Sequence, residues 1–492
     1  MTHTRLPCSG IRRAIRFVLI GFLLSVALPF GAVGPTSVFV VQSFGLLLGV
    51  LTLTLCVLRP ELKPTAPRWL LIVPWLMVAL GLLQLVPLPD GVLEILVGKS
   101  HALRQSVAEW QGMEAVLPRT LSSVPAESLD ATLRLLAYCG IGLATIVAFR
   151  RRRDLRLLAW GICGAATFQA AYGSYEFLSG RQQIFGYVKR FYLEDASGTF
   201  INRNHFANFL AISLPFLWFL LLESLTTREA ASTWKQRILR WTQRETLRRW
   251  TLLVCLSIVY VGLALSNSRA GLIAGSLATA LVLFGSGRRR VVVTVVLIAL
   301  LVPTTYLVTR QELTVGERFV ELEDNLRKPG GRPTVWAATT QIVRDAPVFG
   351  AGVGGFEWVF PLYRPATIRT HWDHAHNDWL QLAAETGLVG LGLALLFFLG
   401  LLVALGRAEK IDETATRLRG AIVAAILTTG FHACFDFSLR IPANATFFVV
   451  ACGAGLALLG IRNPATARRF RASQQGSSRK TQKTIPVIES GE

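Results

Sequence analysis

The stretch HAHNDWLQLAAETGLVGLG, residues 374–392, sets two histidines and a run of polar residues directly before an apolar, membrane-type segment. Asn377 is a suitable helix cap. Asp378, Gln381 and Glu385 follow at helical spacing and so share one face. A face with two carboxylates beside a membrane span is expected to point into protein, not lipid. The plain alternative is a capped interfacial helix with a solvated polar face. The rest of the chain decides between them.

Of 492 residues, 52% are hydrophobic and only 16% charged, with a mean hydropathy of +0.47. This composition specifies an all-α polytopic membrane protein. Apolar runs of roughly 20 residues, enough for about 30 Å of hydrocarbon, fall near 14–33, 37–58, 69–88, 129–149, 155–178, 204–222, 250–266, 270–286, 291–309, 386–406, 417–438 and 443–461. About twelve spans are therefore expected, the first read as a retained helix because another follows almost at once. The expected organisation is N-terminal transmembrane helices over 1–197, a core over 198–461 with a long external loop at 310–385 holding short helices, and a basic disordered tail over 462–492.

A net charge of +21 would suggest nucleic acid in a soluble chain, but here its distribution reports topology. With a cytoplasmic amino terminus, the inner segments (Arg5–Arg16, Arg59–Arg68, Arg150–Arg156, Arg228–Arg249, Arg288–Arg290, Arg407–Arg419 and Arg462–Lys483) carry 33 of the 51 Lys and Arg. The positive-inside rule then places both termini in the cytoplasm. The outer segments are 87–128, 179–203, 266–269, 310–385 and 439–442. They hold no cysteine, so no disulfide framework is expected there.

Polar residues gather where spans meet the outer surface. GTFINRNHFANF (198–209) puts Arg203, Asn204, His205 and Asn208 at the mouth of a span, where helix amides favour anions; a capped, anchored helix end is the plain alternative. SNSRAG (266–271) places Arg269 in a tight turn. Thr428, His432, Asp436 and Arg440 recur at every fourth position and read as one stripe, more suited to joining helices than to catalysis. Tyr172 and Glu176 form a similar pair. In the long loop, Pro333 suits the first turn of a helix running to about Arg344, with Arg332 at its start and Trp336 within it. The glycines at 350, 352, 354 and 355 permit close backbone approach but do not form a dinucleotide-binding fingerprint. HWDHAH (371–376) fits no standard zinc spacing, and no metal or other cofactor is expected.

In order along the chain, GTFxNxNxFAxFL, SxSRAG, GRxxxW, PxxGxGxGxF and HNxWLQLxxExGxxG stand at 198–210, 266–271, 331–336, 347–356 and 376–390. With a long external loop before the histidine motif, this set resembles the O-antigen ligase and Wzy polymerase superfamily of bacterial envelope glycosyltransferases. His376 and Gly387 reproduce a family spacing; Arg269 is followed by Ile273 where the family has leucine. The resemblance implies a bacterial inner-membrane enzyme with a periplasmic site, a glycan donor on undecaprenyl diphosphate, and an acceptor hydroxyl on lipid A-core or a growing glycan. Membrane lipids surround it and nucleic acid has no part.

The diphosphate is a good leaving group, so the reaction needs positive charge more than a strong acid. Arginine supplies that charge in a fork suited to phosphate. The expected assignment makes His376 the general base, Arg269 the principal cation and Glu385 or Asp378 the group that orients the imidazole. Arg332, Arg203, Asn204, Asn377, Asp378 and Trp336 are expected to bind substrate. Ligase is the first reading and polymerase the second. A secondary transporter, which needs a midplane site on broken helices, and a non-catalytic assembly partner are the readings of other classes.

Overall fold

The computed structural model describes residues 8–112, 119–225, 244–286, 331–409 and 411–461. The expected span at 291–309, loop residues 310–330, the inner segments 228–243 and 288–290, and the tail lie outside them. The fold is helical: α1 Cys8–Ser25, α2 Pro35–Leu58, α3 Arg68–Leu83, α4 Asp90–Gln111, α5 Pro125–Ala148, α6 Arg152–Leu178, α7 Arg203–Ser224, α8 Arg244–Leu265, α9 Arg269–Gly285, α10 Arg332–Asp345, α11 Phe356–Val359, α12 Asp378–Arg407, α13 Glu413–His432 and α14 Pro442–Leu459. A two-residue hairpin, β1 (Gln183–Ile184) with β2 (Tyr187–Val188), is the only sheet among the described residues.

By length and apolarity, α2, α5, α7, α8, α12 and α14 can cross a membrane; α3 and α9 are apolar but shorter. The chain is thus a multi-pass membrane protein, and the count of twelve stays an expectation. Burial runs opposite to the rule for soluble proteins. Helix α7 is buried throughout and α14 nearly so, whereas the very apolar α12 is mostly exposed. That pattern suits hydrocarbon, which offers Leu and Phe side chains no penalty and leaves helix association to close packing. Helices α2 and α5 cross on glycines: a Cβ at Gly140 would strike the Gly45 carbonyl and lie 2.9 Å from the Gly49 Cα. Helix α7 packs against α6, α8, α9 and α13, and so forms the hub.

The outer segment 87–128 contains the helix α4, and one expectation is corrected. Helix α13 stops at His432, so Asp436 lies in the turn beyond it and Arg440 in a 3-10 turn (Ser438–Arg440); the four-residue stripe does not exist as a stripe.

Helix α12 is broken at Gly387, whose φ of 64° and ψ of −169° are open to glycine alone at low cost. A helix interrupted here frees the amides of Leu388 and Val389 and the carbonyls of Ala384 and Glu385. Loop 347–352 takes up all four. Leu388 N donates to Pro347 O at 2.7 Å and Val389 N to Val348 O at 3.2 Å; Ala351 N donates to Ala384 O at 2.9 Å and Gly352 N to Glu385 O at 3.0 Å. Gln84 bolts the join: its Nε2 donates to Phe349 O at 2.5 Å and Glu385 O at 2.9 Å, and its Oε1 accepts from Val353 N at 2.9 Å. A Cβ at Gly387 would collide with the Val348 carbonyl. Gly387→Ala should therefore cost roughly 1–3 kcal/mol and speed hydrogen exchange at Leu388 and Val389; unchanged protection at these amides would refute the bolted break.

Candidate functional site

Four helices start close together at one end of the bundle. Asn202 caps α7 through Asn204 N, Ser268 caps α9 through Gly271 N, and Asn377 caps α12 through Leu380 N; α10 starts at Arg332. The Ser268 hydroxyl also donates to Asn204 Oδ1 at 2.8 Å, which ties α9 to α7. Each start presents unpaired amides and the positive end of a helix dipole, so this end of the molecule favours anions.

His376 stands in the turn before α12 with φ +51°, a left-handed conformation that an ordinary residue holds only when its surroundings enforce it. The enforcement is visible on Ala375. Trp336 Nε1 donates to its carbonyl at 2.8 Å, and Gln381 Oε1 accepts from its amide at 3.0 Å. Phe437 and Trp372 pack edge-on to the imidazole, with centroids at 4.7 and 5.2 Å.

Nδ1 of His376 lies 3.1 Å from Asp436 Oδ1 and 3.2 Å from the Arg332 guanidinium. One ring nitrogen cannot both donate to the carboxylate and accept from the guanidinium. The carboxylate prevails: Asp436 is 1% exposed, its Oδ2 has no hydrogen bond among the described residues, and Arg332 already donates to Phe435 O at 2.6 Å. Burial alone would raise the Asp436 carboxyl, but the hydrogen bond from His376 outweighs it and holds the group below the carboxylate range. Nδ1 therefore carries the proton, and Nε2 keeps a lone pair.

The cations differ in how far they are committed. Arg203 holds both Asp195 oxygens at 2.8 Å and lies over the Tyr192 ring at 5.6 Å. Asn267 donates to the same Asp195 at 2.7 Å. Arg332 approaches Asp436 Oδ2 at 3.8 Å, and Tyr192 feels Arg203, Arg332 and Asp436 together. Arg269 is exposed. It makes no hydrogen bond or ion pair among the described residues, although the turn that carries it is tied to Asn204 and Asp195.

The other carboxylates depart from expectation. Asp378, Gln381 and Glu385 do share a buried face, but neither acid touches His376. Glu385 Oε2 pairs with Arg440 at 2.7 Å, and its Oε1 accepts from Gln381 at 2.9 Å. Asp378 accepts from Leu439 N at 3.0 Å and stands 3.7 Å from Arg440 Nε. Among the described residues the carboxylate within hydrogen-bond reach of His376 is Asp436, whereas Glu385, expected to be catalytic, pairs with Arg440. Asn204, Asn377 and Trp336, expected to contact substrate, have structural partners that set helix starts and the histidine turn. Tyr172 and Glu176 do not pair: Tyr172 accepts from Phe185 N at 2.8 Å, and Glu176 binds Lys189 at 3.1 Å. The histidines of HWDHAH diverge to Glu357, Gln381 and Asp436. Burial, then Arg440, keeps His374 well below the usual histidine range.

Residues 251–395 match the family model Wzy_C, described as O-Antigen ligase. The resemblance drawn from the motifs is thereby borne out: the chain carries an O-antigen ligase family domain over this stretch. The match takes in Arg269, Arg332 and His376 and stops short of Arg203, Asp436 and Arg440. No curated protein matches the chain.

Among the described residues, Arg440 is the single cation paired with the two acids Asp378 and Glu385. Arg440→Leu, which strands Glu385 and Asp378 unpaired, should lose roughly 3–5 kcal/mol of stability. Adding Glu385→Gln should restore part of that loss in thermal unfolding of the purified protein; strictly additive losses would contradict the pairing.

Proposed function

We propose that the protein is a membrane glycosyltransferase of the O-antigen ligase type, moving a glycan from undecaprenyl diphosphate to an acceptor hydroxyl on the periplasmic side of the inner membrane. The observation that carries this reading is the His376–Asp436 contact at 3.1 Å, set among Arg332, Arg203 and Arg269. The contact leaves Nε2 as a base, and Arg269 and Arg332 supply charge for a departing diphosphate.

In this mechanism Nε2 of His376 takes the proton of the acceptor hydroxyl as its oxygen bonds to the anomeric carbon. The bond from that carbon to the diphosphate breaks, and the electron pair leaves with the diphosphate. Arg269 and the outer face of Arg332 meet the growing charge, while Arg203 fixes the turns that carry them through Asp195. Asp436 stabilises the imidazolium and holds the ring's tautomer, a positioning role of the kind a buried acid plays behind a catalytic histidine.

Transport fits less well. The polar groups cluster at helix starts and not at a midplane cavity, and the break in α12 is filled by the protein's own loop, whereas a transporter's broken helix meets its substrate or ion. Polymerase chemistry would use the same residues, with a growing glycan as acceptor.

His376→Ala should abolish transfer at normal protein level. Asp436→Asn should lower the turnover rate by roughly 10²-fold or more with little change in KM for the donor. The check is mass spectrometry of lipid-linked glycans in a deletion strain complemented with each form. Finished chains stranded on the carrier indicate ligase and single repeat units indicate polymerase; wild-type glycans from the His376→Ala strain would sink the reading.

A further inference from the structure

A groove of about 580 Å³ runs between α3, α5, α12 and α14, and none of His376, Arg203, Arg269 or Arg332 lines it. Its wall on α5 extends from Glu127 to Ile146, roughly 28 Å of helix at about 1.5 Å per residue, close to the thickness of a hydrocarbon core. The shaft is apolar, with Leu70, Trp75, Leu135, Leu143, Phe397 and Phe448 along it. Such a shape suits a hydrocarbon chain lying along the bundle.

The head of the groove has a different chemistry. Glu127, Glu357, Asp373, Asp378 and Glu385 line it against only two arginines. Both arginines are already matched, Arg134 to Asp130 at 2.7 Å and Arg440 to Glu385 at 2.7 Å. An excess of carboxylate repels a diphosphate, whereas sugar hydroxyls donate to it. One acceptor atom has room for a donor: Asp378 is 5% exposed, lines the groove, and its Oδ1, 3.7 Å from Arg440 Nε, has no hydrogen bond among the described residues.

The head also adjoins the histidine turn. His374 lines it, and the rings of His374 and His376 pack on the same Phe437 at 4.2 and 4.7 Å. We infer that this groove binds the acceptor, an amphiphile whose hydrocarbon chain fills the shaft and whose uncharged sugar is held at Asp378, at the end of the groove that adjoins the His376 turn. The assignment rests on the transferase reading; two substrates then approach one base, sorted by charge.

The test is photo-crosslinking of an alkyl glycoside with a diazirine in its tail to the full-length protein in nanodiscs of phosphatidylethanolamine and phosphatidylglycerol. Adducts are mapped by mass spectrometry in wild type and in two shaft-filling variants, Leu135→Trp and Gly142→Leu. Labelling should concentrate on α5 and α12, fall at least ~10-fold in both variants, and persist under excess undecaprenyl diphosphate. Displacement by undecaprenyl diphosphate would hand the groove to the donor and overturn the inference. Labelling spread evenly over the lipid-facing surface, or unchanged in both variants, would equally overturn it. Labelling needs no turnover, so its failure is separate from failure of the transfer reading, which the His376→Ala strain decides.

Discussion

The structure depends on how the broken backbone of α12 is satisfied. A helix apolar enough to cross a membrane cannot leave amides and carbonyls open to hydrocarbon, where each would cost several kcal/mol. The groups freed at Gly387 are met by Pro347, Val348, Ala351 and Gly352, with Gln84 closing the join from α3. The loop is therefore spliced into the membrane helix itself. Its position fixes the first turns of α12, and with them the Asn377 cap, the Asp378–Glu385 face and the strained turn at His376. The glycines at 350 and 387 are needed because two backbones meet with no room for a side chain: a Cβ at Gly350 would strike the Glu385–Thr386 peptide.

Charge is distributed around this join with the same economy. Arg440 neutralises the acids of the α12 face, and Arg203 is spent on Asp195, so neither is a free cation for a ligand. Arg332 is half committed, at 38% side-chain exposure, and Arg269 has no partner among the described residues. If the proposed donor is right, this graded set serves a site that releases as well as binds a diphosphate, because a cluster of fully free guanidiniums would hold the product as tightly as the transition state.

Much of this was legible in the sequence, for identifiable reasons. The Asn377 cap and the buried face of α12 follow from spacing, and Pro333 marked a helix that the structure places at Arg332–Asp345. The role of Asp436 was not legible. It sits four residues after His432, so helical periodicity assigned both to one stripe; the termination of α13 at His432 turns Asp436 toward a histidine 60 positions earlier in the chain. Glu385 misled for the complementary reason. Its place on the α12 face made it a neighbour of the histidine in sequence, but Arg440 claims it in space. The helix α4 was hidden because an amphipathic helix outside the spans has neither the apolar run nor the clean periodicity that marks the others.

The family match ends at residue 395, yet the histidine it contains is completed from both sides of it. Asp436 comes from the turn before α14, and the Arg203–Asp195 pair comes from the start of α7 and the loop before it. Helix α7 is buried along its length and α14 nearly so, so these contributions come from turns attached to the most enclosed helices, while α12, which follows the His376 turn, is largely unburied beyond its first turns. On the proposed reading, a base in the turn ahead of a peripheral helix, held by an acid in the turn ahead of a central one, faces lipid-borne substrates without losing its orientation. The family's motif segment alone therefore does not specify the site: the matched stretch supplies His376, Arg269 and Arg332, and residues outside it supply the partners that hold His376 and its neighbouring turns.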